Sequence, residues 1–352
     1  MKEIEIARRR IGAGYPCLII AEAGVNHNGD IQLAKRLVDV AAEAGADAVK
    51  FQTFKADQVV SAAAPKAEYQ LQTTDASESQ LEMLRRLELS PKAHRELQTY
   101  CRERGVLFMS TPFDEESADF LEELDVPVFK IASAEITNWP FLEYVARKRK
   151  PIVLSTGMSY LSEVDEAVRV IRKAGCDQLI LLHCVSNYPT DPVDANLRAI
   201  QTMATSFQVP VGYSDHTFGI EVALAAVALG ACMIEKHFTL DRNLPGPDHR
   251  ASLEPTELKS FIRAIRNVER ALGDGVKQPM DSELVNRPIA RRSIVAQCRI
   301  PKGAVVTHDM IAIKRPGTGI EPRFYDRIVG KRVQLDVEED EILQWEMFLS
   351  SE

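Results

Sequence analysis

The chain has 352 residues, of which 45% are hydrophobic and 27% are charged, and its formal net charge is −8. This length suits one large domain and a small one, and the charge lacks the basic excess typical of nucleic-acid binding. The longest run without a charged residue, 199–214, is shorter than the roughly 20 residues of a membrane helix. Six cysteines show no metal-binding spacing, so we expect reduced thiols in a cytoplasmic protein that binds neither membrane nor nucleic acid.

One pattern recurs along most of the chain. A helical segment ends in glycine, and a short apolar run follows within a few residues, as in "AEAGADAVKFQT" and "CRERGVLFMSTP". Glycine supplies the left-handed cap after a helix, and the apolar run predicts a strand that is buried on both faces. Eight such runs occur, at 17–23, 48–54, 106–111, 127–133, 151–156, 179–185, 209–214 and 232–238.

Helical patterns lie between these runs. The clearest are "IQLAKRLVDVAAEAG" at 31–45, "SPKAHRELQTYCRERG" at 90–105, with a serine cap before proline, and "EPTELKSFIRAIRNVERALG" at 254–273. A doubly wound open sheet would show the same alternation of strands and helices. Eight is the number of strands that closes a barrel, so the sequence predicts a (β/α)8 TIM barrel over residues 1–275.

The predicted strands become polar at their C-terminal ends. The last run even holds three neighbouring titratable groups, Glu235, Lys236 and His237. An isolated charge costs several kcal/mol to bury, but in such barrels the C-terminal strand ends form the active-site face. We therefore expect one mouth where these groups pair with each other and with a ligand, rather than a buried ion-pair network without chemistry. The other polar strand ends are Glu22, Lys50, Gln52, Ser110, Thr111, Lys130, Ser133, Ser155, Thr156, His183, Ser186, Ser214 and His216.

Two pairs of these residues indicate chemistry. His216 and His237 end consecutive strands and could share an ion such as Mn, Co, Zn or Fe, with positions left for water or substrate oxygen; a structural pair of hydrogen-bonded histidines is the alternative. Lys50 and Lys130 suit a pocket for phosphate and carboxylate; a Schiff-base lysine, as in aldolases, is the alternative. Hydroxyl donors for that pocket are Thr111, Ser133, Ser155 and Ser214.

The composition changes after about residue 274. Residues 276–290 read as a linker, and short strands with glycine and proline turns follow in a domain predicted at 291–352. Residues 286–332 hold eleven Lys or Arg and three Asp or Glu, a local charge of about +8. The segment is either a solvated basic face or a cap that docks near an anionic substrate or an acidic partner surface.

Nine motifs in order resemble the sialic acid synthase family. They are "IAEAGVNHNG", "VKFQT", "STPF", "FKIAS", "LSTGM", "HCVSNYPT", "GYSDHT", "EKHFTLDRNLPGPDH" and "KRPGTG". The resemblance covers nearly the whole chain, and residues 291–352 resemble the family's antifreeze-protein-like, β-clip domain. It implies an N-acetylneuraminate synthase-like transferase that condenses phosphoenolpyruvate with a 2-acetamido-mannose-type sugar, giving a nonulosonic acid and phosphate.

The resemblance also implies roles for individual residues. His216 and His237 match metal ligands, with Mn²⁺ expected and Mg²⁺ or Co²⁺ as alternatives, and Glu22 matches a catalytic acidic residue beside the reacting centre. Arg315 matches a cap arginine that reaches the acceptor in a neighbouring subunit, which implies a homodimer with exchanged capping domains. The phosphoenolpyruvate pocket is matched by Lys50, Thr111, Lys130, Ser133, Ser155 and Ser214, and the acceptor side by Gln52, Ser186, Tyr188 and Asp248.

Two positions depart from the pattern of some members, and both are predicted on the acceptor side. Ser186 stands where bacterial sialic acid synthases can carry Asn, and Asp75 stands where an acceptor-contacting Asn is expected. The acceptor therefore stays open between N-acetylmannosamine and the 2,4-diacetamido-2,4,6-trideoxymannose of legionaminic acid synthases. A non-catalytic sugar- or ice-binding protein, suggested by the C-terminal resemblance alone, would leave the polar strand ends unexplained.

Overall fold

The computed structural model describes residues 3–75 and 77–348. Residue 76 and the two chain ends, including the last four residues of the predicted capping domain, lie outside the described residues. The chain divides into two compact units, Met1–Gly273 and Asp274–Glu352.

Ten strands of the first unit are described, in two sheets. The two shortest, β1 and β2, form an antiparallel hairpin, and the other eight form one parallel sheet. In chain order they are β1 Ile4–Ile6, β2 Arg9–Ile11, β3 Leu18–Gly24, β4 Ala48–Thr53, β5 Leu107–Pro112, β6 Phe129–Ile131, β7 Ile152–Ser155, β8 Leu179–Cys184, β9 Val211–Asp215 and β10 Met233–His237.

The parallel sheet is a nearly closed TIM-like barrel. Its strands follow the hydrogen-bonded order β5-β4-β3-β10-β9-β8-β7-β6, so the first barrel strand pairs with the last one. In that register Glu22 lies opposite both Lys50 and His237. Each of the eight predicted runs overlaps one of these strands, which confirms the predicted fold class.

In the first unit helices follow the strands and cover the barrel, and three short helices among those described belong to the second unit. The described helices are α1 Ile31–Ala44, α2 Ala56–Val59, α3 Glu68–Thr73, α4 Gln80–Leu87, α5 Pro91–Arg104, α6 Glu115–Glu123, α7 Trp139–Ala146, α8 Leu161–Lys173, α9 Arg198–Phe207, α10 Glu221–Ala228, α11 Pro255–Leu272, α12 Asp281–Leu284, α13 Arg287–Ala290 and α14 Tyr325–Ile328. The predicted capping is confirmed at α5, where Ser90 accepts a hydrogen bond from the Ala93 N–H. Gly45 and Gly105 take the left-handed conformation that ends α1 and α5.

The hairpin β1–β2 closes the N-terminal end of the barrel. Ile4, Ile6 and Ile11 are buried and pack with the apolar side chains that fill this end of the barrel, such as Met109 and Met233. The sequence analysis missed this hairpin. Its strands have only three residues each, and β2 reads as a charged segment.

The second unit is small and rich in irregular β structure. It contains the antiparallel pair β11 Ser293–Ala296 and β12 Ile311–Lys314, and further single bridges such as Ile300 with Val337. Its own core includes Ile294, Ile300 and Val337. The segment predicted as a linker holds the one-turn helices α12 and α13, and none of its side chains is buried.

Two further expectations from composition can be compared with this fold. No helix in the described part of the chain is long and apolar enough to cross a membrane. All six cysteines are free thiols, and all except Cys298 are buried, as expected from the lack of metal or disulfide spacing.

Candidate active site

Strand β10 resolves the problem of three neighbouring titratable groups by alternation. Glu235 and His237 face a pocket at the C-terminal mouth of the barrel. Lys236 faces the opposite way, where its Nζ lies 2.6 Å from an Asp215 carboxylate oxygen and donates to the Thr217 carbonyl. The expectation that all three converge at the mouth is therefore wrong for Lys236.

Three other polar strand ends also face away from the pocket. The Ser110 hydroxyl bonds to Thr53, Thr156 donates to the Leu182 carbonyl, and a His183 ring nitrogen lies 2.8 Å from the Ala195 carbonyl. These groups are satisfied by neighbouring backbone and hydroxyl groups. Side chains alternate along a strand, so only every second polar residue at a strand end reaches the mouth.

The mouth pocket has a volume of about 400 Å³. It brings together every barrel residue that the sequence analysis assigned to the site, whereas Arg315 belongs to the second unit. The lining residues predicted from sequence are Glu22, Lys50, Gln52, Thr111, Lys130, Ser133, Ser155, Ser186, Tyr188, Ser214, His216, His237 and Asp248.

Two buried lysines and two buried carboxylates form the floor of the pocket. Lys50 Nζ lies 2.8 Å from Glu22 Oε2 and 3.6 Å from Glu235 Oε2, and it donates to the Thr111 hydroxyl at 3.1 Å. Lys130 Nζ lies 3.7 Å from Glu235 Oε1. The charges therefore balance within one cluster, which lowers the cost of burying each of them.

The two carboxylates of this cluster have opposite pKa shifts. Burial raises the pKa of Glu22 to about 8, against the opposing effect of Lys50. Burial alone would also raise the pKa of Glu235, but Lys130 and Lys50 outweigh it and lower this pKa to about 2. Two carboxyl groups whose surroundings shift their pKa values in opposite directions are typical of sites of acid–base catalysis. Glu22 can exchange a proton near neutral pH, and Glu235 stays ionised.

Hydroxyl groups line the side of the pocket next to Lys130. The Gly157 N–H donates to Ser133 Oγ at 2.9 Å. A Cβ atom at Gly157 would lie 2.3 Å from Ser186 Oγ and 2.9 Å from Ser133 Oγ, so only glycine allows the two hydroxyls to approach this backbone so closely. Ser186 thus lies beside Ser133, a residue predicted for phosphoenolpyruvate, and its assignment to the acceptor side stays a prediction.

His216 and His237 lie side by side, with ring centroids 5.6 Å apart. His216 Nδ1 donates to the Val185 carbonyl at 2.7 Å, which is the hydrogen bond that orients many metal-binding histidines. Nε2 is then the unprotonated nitrogen that could coordinate an ion, and Ser214 Oγ lies 3.5 Å from it. His237 Nδ1 is buried, and no hydrogen-bond partner for it is found among the described residues. Burial lowers the pKa of both imidazoles, so both are neutral, as a metal ligand must be.

These two imidazoles fit a divalent ion whose remaining ligands are water or substrate oxygen. Within residues 3–75 and 77–348 there is no group of three or more His, Cys, Asp or Glu side chains arranged for a metal. A complete protein cage is thus absent from the described residues. Neutral imidazoles with open positions suit Mn, Co, Zn or Fe and do not select one of them.

Aromatic and acidic residues surround the histidines. The Tyr188 ring lies 4.2 Å from the His216 ring and 5.3 Å from the Tyr69 ring, measured between centroids. Gly24 packs between Glu22, His237 and Asp248, each of which would lie within 3.6 Å of an added Cβ. Burial raises the pKa of Asp248 to about 6. This part of the pocket offers several hydrogen-bond acceptors and aromatic ring faces, both of which suit the binding of a sugar.

The sequence analysis missed the wall that comes from the connection between β4 and α5. Helices α3 and α4 supply lining residues such as Tyr69, Gln70 and Met83. A connection of this length between two barrel elements is itself a functional signal, because most such loops are short. Asp75, from the same connection, lines a neighbouring cavity of about 320 Å³ and not the mouth pocket. Of the two departures from the family pattern, Ser186 lines the mouth pocket and Asp75 does not.

Comparison with known proteins gives matches over both units. Residues 37–277 match the NeuB family, and residues 291–349 match the SAF domain. N,N'-diacetyllegionaminic acid synthase from Campylobacter jejuni is 51% identical over 329 residues, which cover 93% of this chain and 98% of that protein. Human N-acetylneuraminate-9-phosphate synthase is 39% identical over 350 residues, which cover 98% and 96% of the two chains.

A solved structure is similar as well. The crystal structure of N-acetylneuraminic acid (sialic acid) synthetase from Leptospira borgpetersenii, in complex with citrate, matches with a TM-score of 0.72 and 38% sequence identity. The match covers 81% of this chain and 95% of that chain. The barrel fold and the C-terminal domain type expected from sequence are thereby confirmed.

Proposed function

Because this chain belongs to the NeuB family of sialic acid synthases, we propose that it condenses phosphoenolpyruvate with a 2-acetamido-mannose-type sugar and releases phosphate. Family membership makes it a transferase that forms a carbon–carbon bond and uses phosphoenolpyruvate. The observation that carries the proposal is the two-sided pocket, with cations and hydroxyls on one side and histidines with carboxylates and tyrosines on the other. Such a pocket suits a small anion next to a polyhydroxylated acceptor.

Phosphoenolpyruvate would lie along the lysines and serines. Its phosphate and carboxylate need several donors, and Lys50, Lys130, Ser133 and Ser155 reach the same space. Lys50 and Lys130 are already positioned by Glu22 and Glu235, so little side-chain entropy is lost when the anion binds.

The metal site would use His216 and His237. A divalent ion held there would act as a Lewis acid on the aldehyde oxygen of the open-chain sugar. The Val185 carbonyl fixes the His216 ring, and the Tyr188 ring packs against it, so the His216 ring is held in place before any ligand binds. The proposal keeps Mn²⁺ as the expected ion, and the pocket does not favour Mn²⁺ over Co²⁺ by its donors alone.

The chemical steps balance without a redox partner. C3 of phosphoenolpyruvate forms a bond to the aldehyde carbon, the aldehyde oxygen takes up a proton to become a hydroxyl group, and C2 becomes an oxocarbenium ion. Water adds to C2 and gives up one proton. The bond between C2 and the phosphate oxygen then breaks as the new hydroxyl group on C2 gives up its proton and becomes a carbonyl. The products are the 2-keto acid and inorganic phosphate. Glu22 is the group with a pKa near neutrality on this floor, and we assign it the proton of the added water.

The identity of the acceptor is the finer part of the proposal. N-acetylmannosamine and 2,4-diacetamido-2,4,6-trideoxymannose both carry the 2-acetamido-mannose core. The 51% identity with a protein named N,N'-diacetyllegionaminic acid synthase favours the second sugar over the first. The proposal also includes a cytoplasmic location, which five buried free thiols support.

A capping contact from a second subunit completes the proposal. The loops after β6, β7, β8 and β9 expose large apolar side chains, among them Met158, Tyr160, Val193 and Phe218, and Tyr160 and Val193 are 80% and 82% exposed. An apolar rim of this kind marks an interaction site. We assign it to the C-terminal unit of a second copy, with Arg315 donating hydrogen bonds to the acceptor's acyl group.

Mixing two inactive variants tests this exchange. An Arg315→Ala chain and a His237→Ala chain should regain part of the activity when they form a heterodimer, because one of its two sites is then intact. If subunit exchange is verified and no activity returns, Arg315 does not act across subunits.

The reaction is tested by measuring phosphate release from phosphoenolpyruvate with each of the two acceptors. Release that requires both substrates and stops in chelator supports the proposal, and it should return when Mn²⁺ is added. Borohydride treatment in the presence of substrate should trap no lysine adduct. An adduct on Lys50 or Lys130, with activity retained in chelator, would favour the Schiff-base aldolase instead.

A further inference from the structure

One wall of the mouth pocket is apolar. Val25, Met83 and Leu87 are buried there in a cluster with Phe54, and Leu84 and Phe113 pack against it. All of these except Phe54 also line the pocket. The rest of the lining is mostly polar, and its other apolar residues, such as Ala132, Met158 and Pro247, do not belong to this cluster.

The wall lies on a different side of the mouth from the three serines assigned to phosphoenolpyruvate, whereas Lys50 and Thr111 of the same assignment lie on β4 and β5. Val25 follows β3, Phe113 follows β5, and Met83 lies on α4 between β4 and α5. Ser133, Ser155 and Ser214 come from β6, β7 and β9. In the strand order of this barrel, β3, β4 and β5 form one side of the mouth and β6, β7 and β9 belong to the other, and the two sides meet between β5 and β6. A ligand that begins at the histidine pair and extends away from the serines reaches the apolar wall.

Among the described residues of the pocket, no lysine or arginine belongs to this wall. Lys50 and Lys130 are the cations among the described lining residues of the pocket, and both are held on the floor by Glu22 and Glu235. Arg86 lies behind the wall, where it lines the neighbouring cavity and pairs with Glu78 at 2.7 Å. Met83 and Leu87 separate the two cavities, because they line both of them.

We propose that this wall, formed by Val25, Met83, Leu84, Leu87 and Phe113, is a specificity subsite that takes the C6 end of the acceptor as a methyl group and excludes a C6 phosphate. The inference rests on the proposed condensation reaction and extends it to the substituent at C6. A methyl group would be buried against apolar side chains. A phosphate would lose its hydration without gaining a cation, next to the acidic Asp248 and Glu22.

The test compares three acceptors that differ only at C6. They are N-acetylmannosamine, its 6-deoxy analogue 2-acetamido-2,6-dideoxymannose and its 6-phosphate. We expect kcat/KM for the 6-deoxy sugar to exceed that for the 6-hydroxyl sugar by about 10–100-fold, the range over which an apolar pocket discriminates small groups. The 6-phosphate should support no measurable phosphate release from phosphoenolpyruvate.

Three variants locate the discrimination. Met83→Gln keeps the length of the side chain and should reduce the 6-deoxy preference by about tenfold, with KM for phosphoenolpyruvate unchanged. Leu84→Lys places a cation on a partly buried pocket residue and should permit use of the 6-phosphate. Phe54→Leu is the control, because Phe54 belongs to the same cluster but does not line the pocket. It should keep the wild-type preference.

The outcomes separate this inference from the reaction itself. If neither these sugars nor 2,4-diacetamido-2,4,6-trideoxymannose releases phosphate, the proposed reaction fails and the subsite fails with it. Equal use of the three sugars by the wild-type protein would overturn the subsite alone. A preference that survives in Met83→Gln, or that falls equally in Phe54→Leu, would also overturn it. Because Leu84→Lys tests a gain of activity, a folding defect in Met83→Gln does not leave the subsite undecided.

Discussion

The two ends of the barrel interior are filled by opposite kinds of side chain, although the same faces of the same strands supply both. On β3 the inward residues change from Leu18 and Ile20 to Glu22, and on β10 they change from Met233 to Glu235 and His237. At the N-terminal end the isoleucines of the hairpin β1–β2 complete an apolar core. At the C-terminal end the interior is a cluster of charges around a pocket.

This difference shows that the fold places its stabilising apolar core and its reactive groups at opposite ends of the barrel. Burial of apolar area stabilises the N-terminal end of the barrel, and each buried aliphatic side chain contributes about 1.5–3 kcal/mol to the free energy of unfolding. The charges at the C-terminal end are desolvated, so their net contribution to the free energy of unfolding is small even when they are paired. Substitutions at the two ends should therefore affect different quantities, which makes the comparison testable.

The largest effect is expected at the mouth, in His237→Ala. Loss of a metal ligand should lower kcat by about 1,000-fold or more, since the Lewis acid supplies several kcal/mol of transition-state stabilisation. The unfolding free energy should change little, as measured by urea denaturation. His183→Gln is the matched control, because His183 ends a neighbouring strand but faces outward. Full activity of His237→Ala, or of the wild type in chelator, would remove the metal from the account.

At the N-terminal end of the barrel, Ile6→Ala should lower stability and leave activity unchanged. Ile6 is buried in the hairpin β1–β2 that closes the N-terminal end. The variant should therefore lose about 2–5 kcal/mol of unfolding free energy through the lost burial and the cavity left behind. Its kcat/KM should match the wild type wherever the protein is folded. Glu5→Ala, on the exposed side of the same strand, should change neither quantity. A large loss of activity in folded Ile6→Ala would show that the two ends are not independent.

A smaller effect is expected from the two floor lysines. Lys50→Ala and Lys130→Ala should each weaken phosphoenolpyruvate binding by about 1.5–3 kcal/mol, the value of a hydrogen bond to a charged group. Lys236→Ala provides the contrast, because it leaves Asp215 buried without its partner on the outer face of β10. That variant should lose stability by about 3–5 kcal/mol and keep its affinity for phosphoenolpyruvate. Isothermal titration and urea denaturation measure the two quantities.

The smallest effect is the pH dependence that follows from Glu22. Because its pKa is about 8, Glu22 is protonated at pH 6 and ionised at pH 9. If it accepts the proton of the added water, kcat/KM should rise about tenfold per pH unit and level off near pH 8. Glu22→Gln should remove this rise together with most of the activity. A fall in kcat/KM through the same range would make Glu22 a proton donor instead.

Stability should follow the opposite sign for the same group. Between an unfolded pKa of 4.5 and a folded pKa of about 8, the folded protein binds more protons at Glu22 than the unfolded chain does. The contribution of Glu22 to the unfolding free energy therefore falls as pH rises through this window. Glu235, whose pKa is lowered to about 2, behaves in the reverse way and loses its contribution only in acid.

The barrel could be predicted from sequence because its strands are buried on both faces. Runs such as 179–182 are continuously apolar, and the glycines before them mark the helix ends. The hairpin β1–β2 could not be predicted in the same way. Ile4 and Ile6 alternate with polar residues over only three positions, which is too short to distinguish from a loop.

The site could be predicted in part for a related reason. Composition at the strand ends identified the mouth, but the direction of each side chain depends on the strand register. That register turns Glu235 inward and Lys236 outward. The apolar wall around Met83 depends on the packing of α4 over the mouth, a tertiary contact with no local pattern in the sequence.

The most direct test of the central claim follows the oxygen that bridges C2 and phosphorus in phosphoenolpyruvate. This oxygen is labelled with ¹⁸O, the acceptor sugar is added, and the released phosphate is analysed by mass spectrometry. The account predicts that the phosphate keeps the label, because the bond between C2 and oxygen breaks after water has added to C2. Unlabelled phosphate, or phosphate released at the same rate without an acceptor sugar, would contradict it.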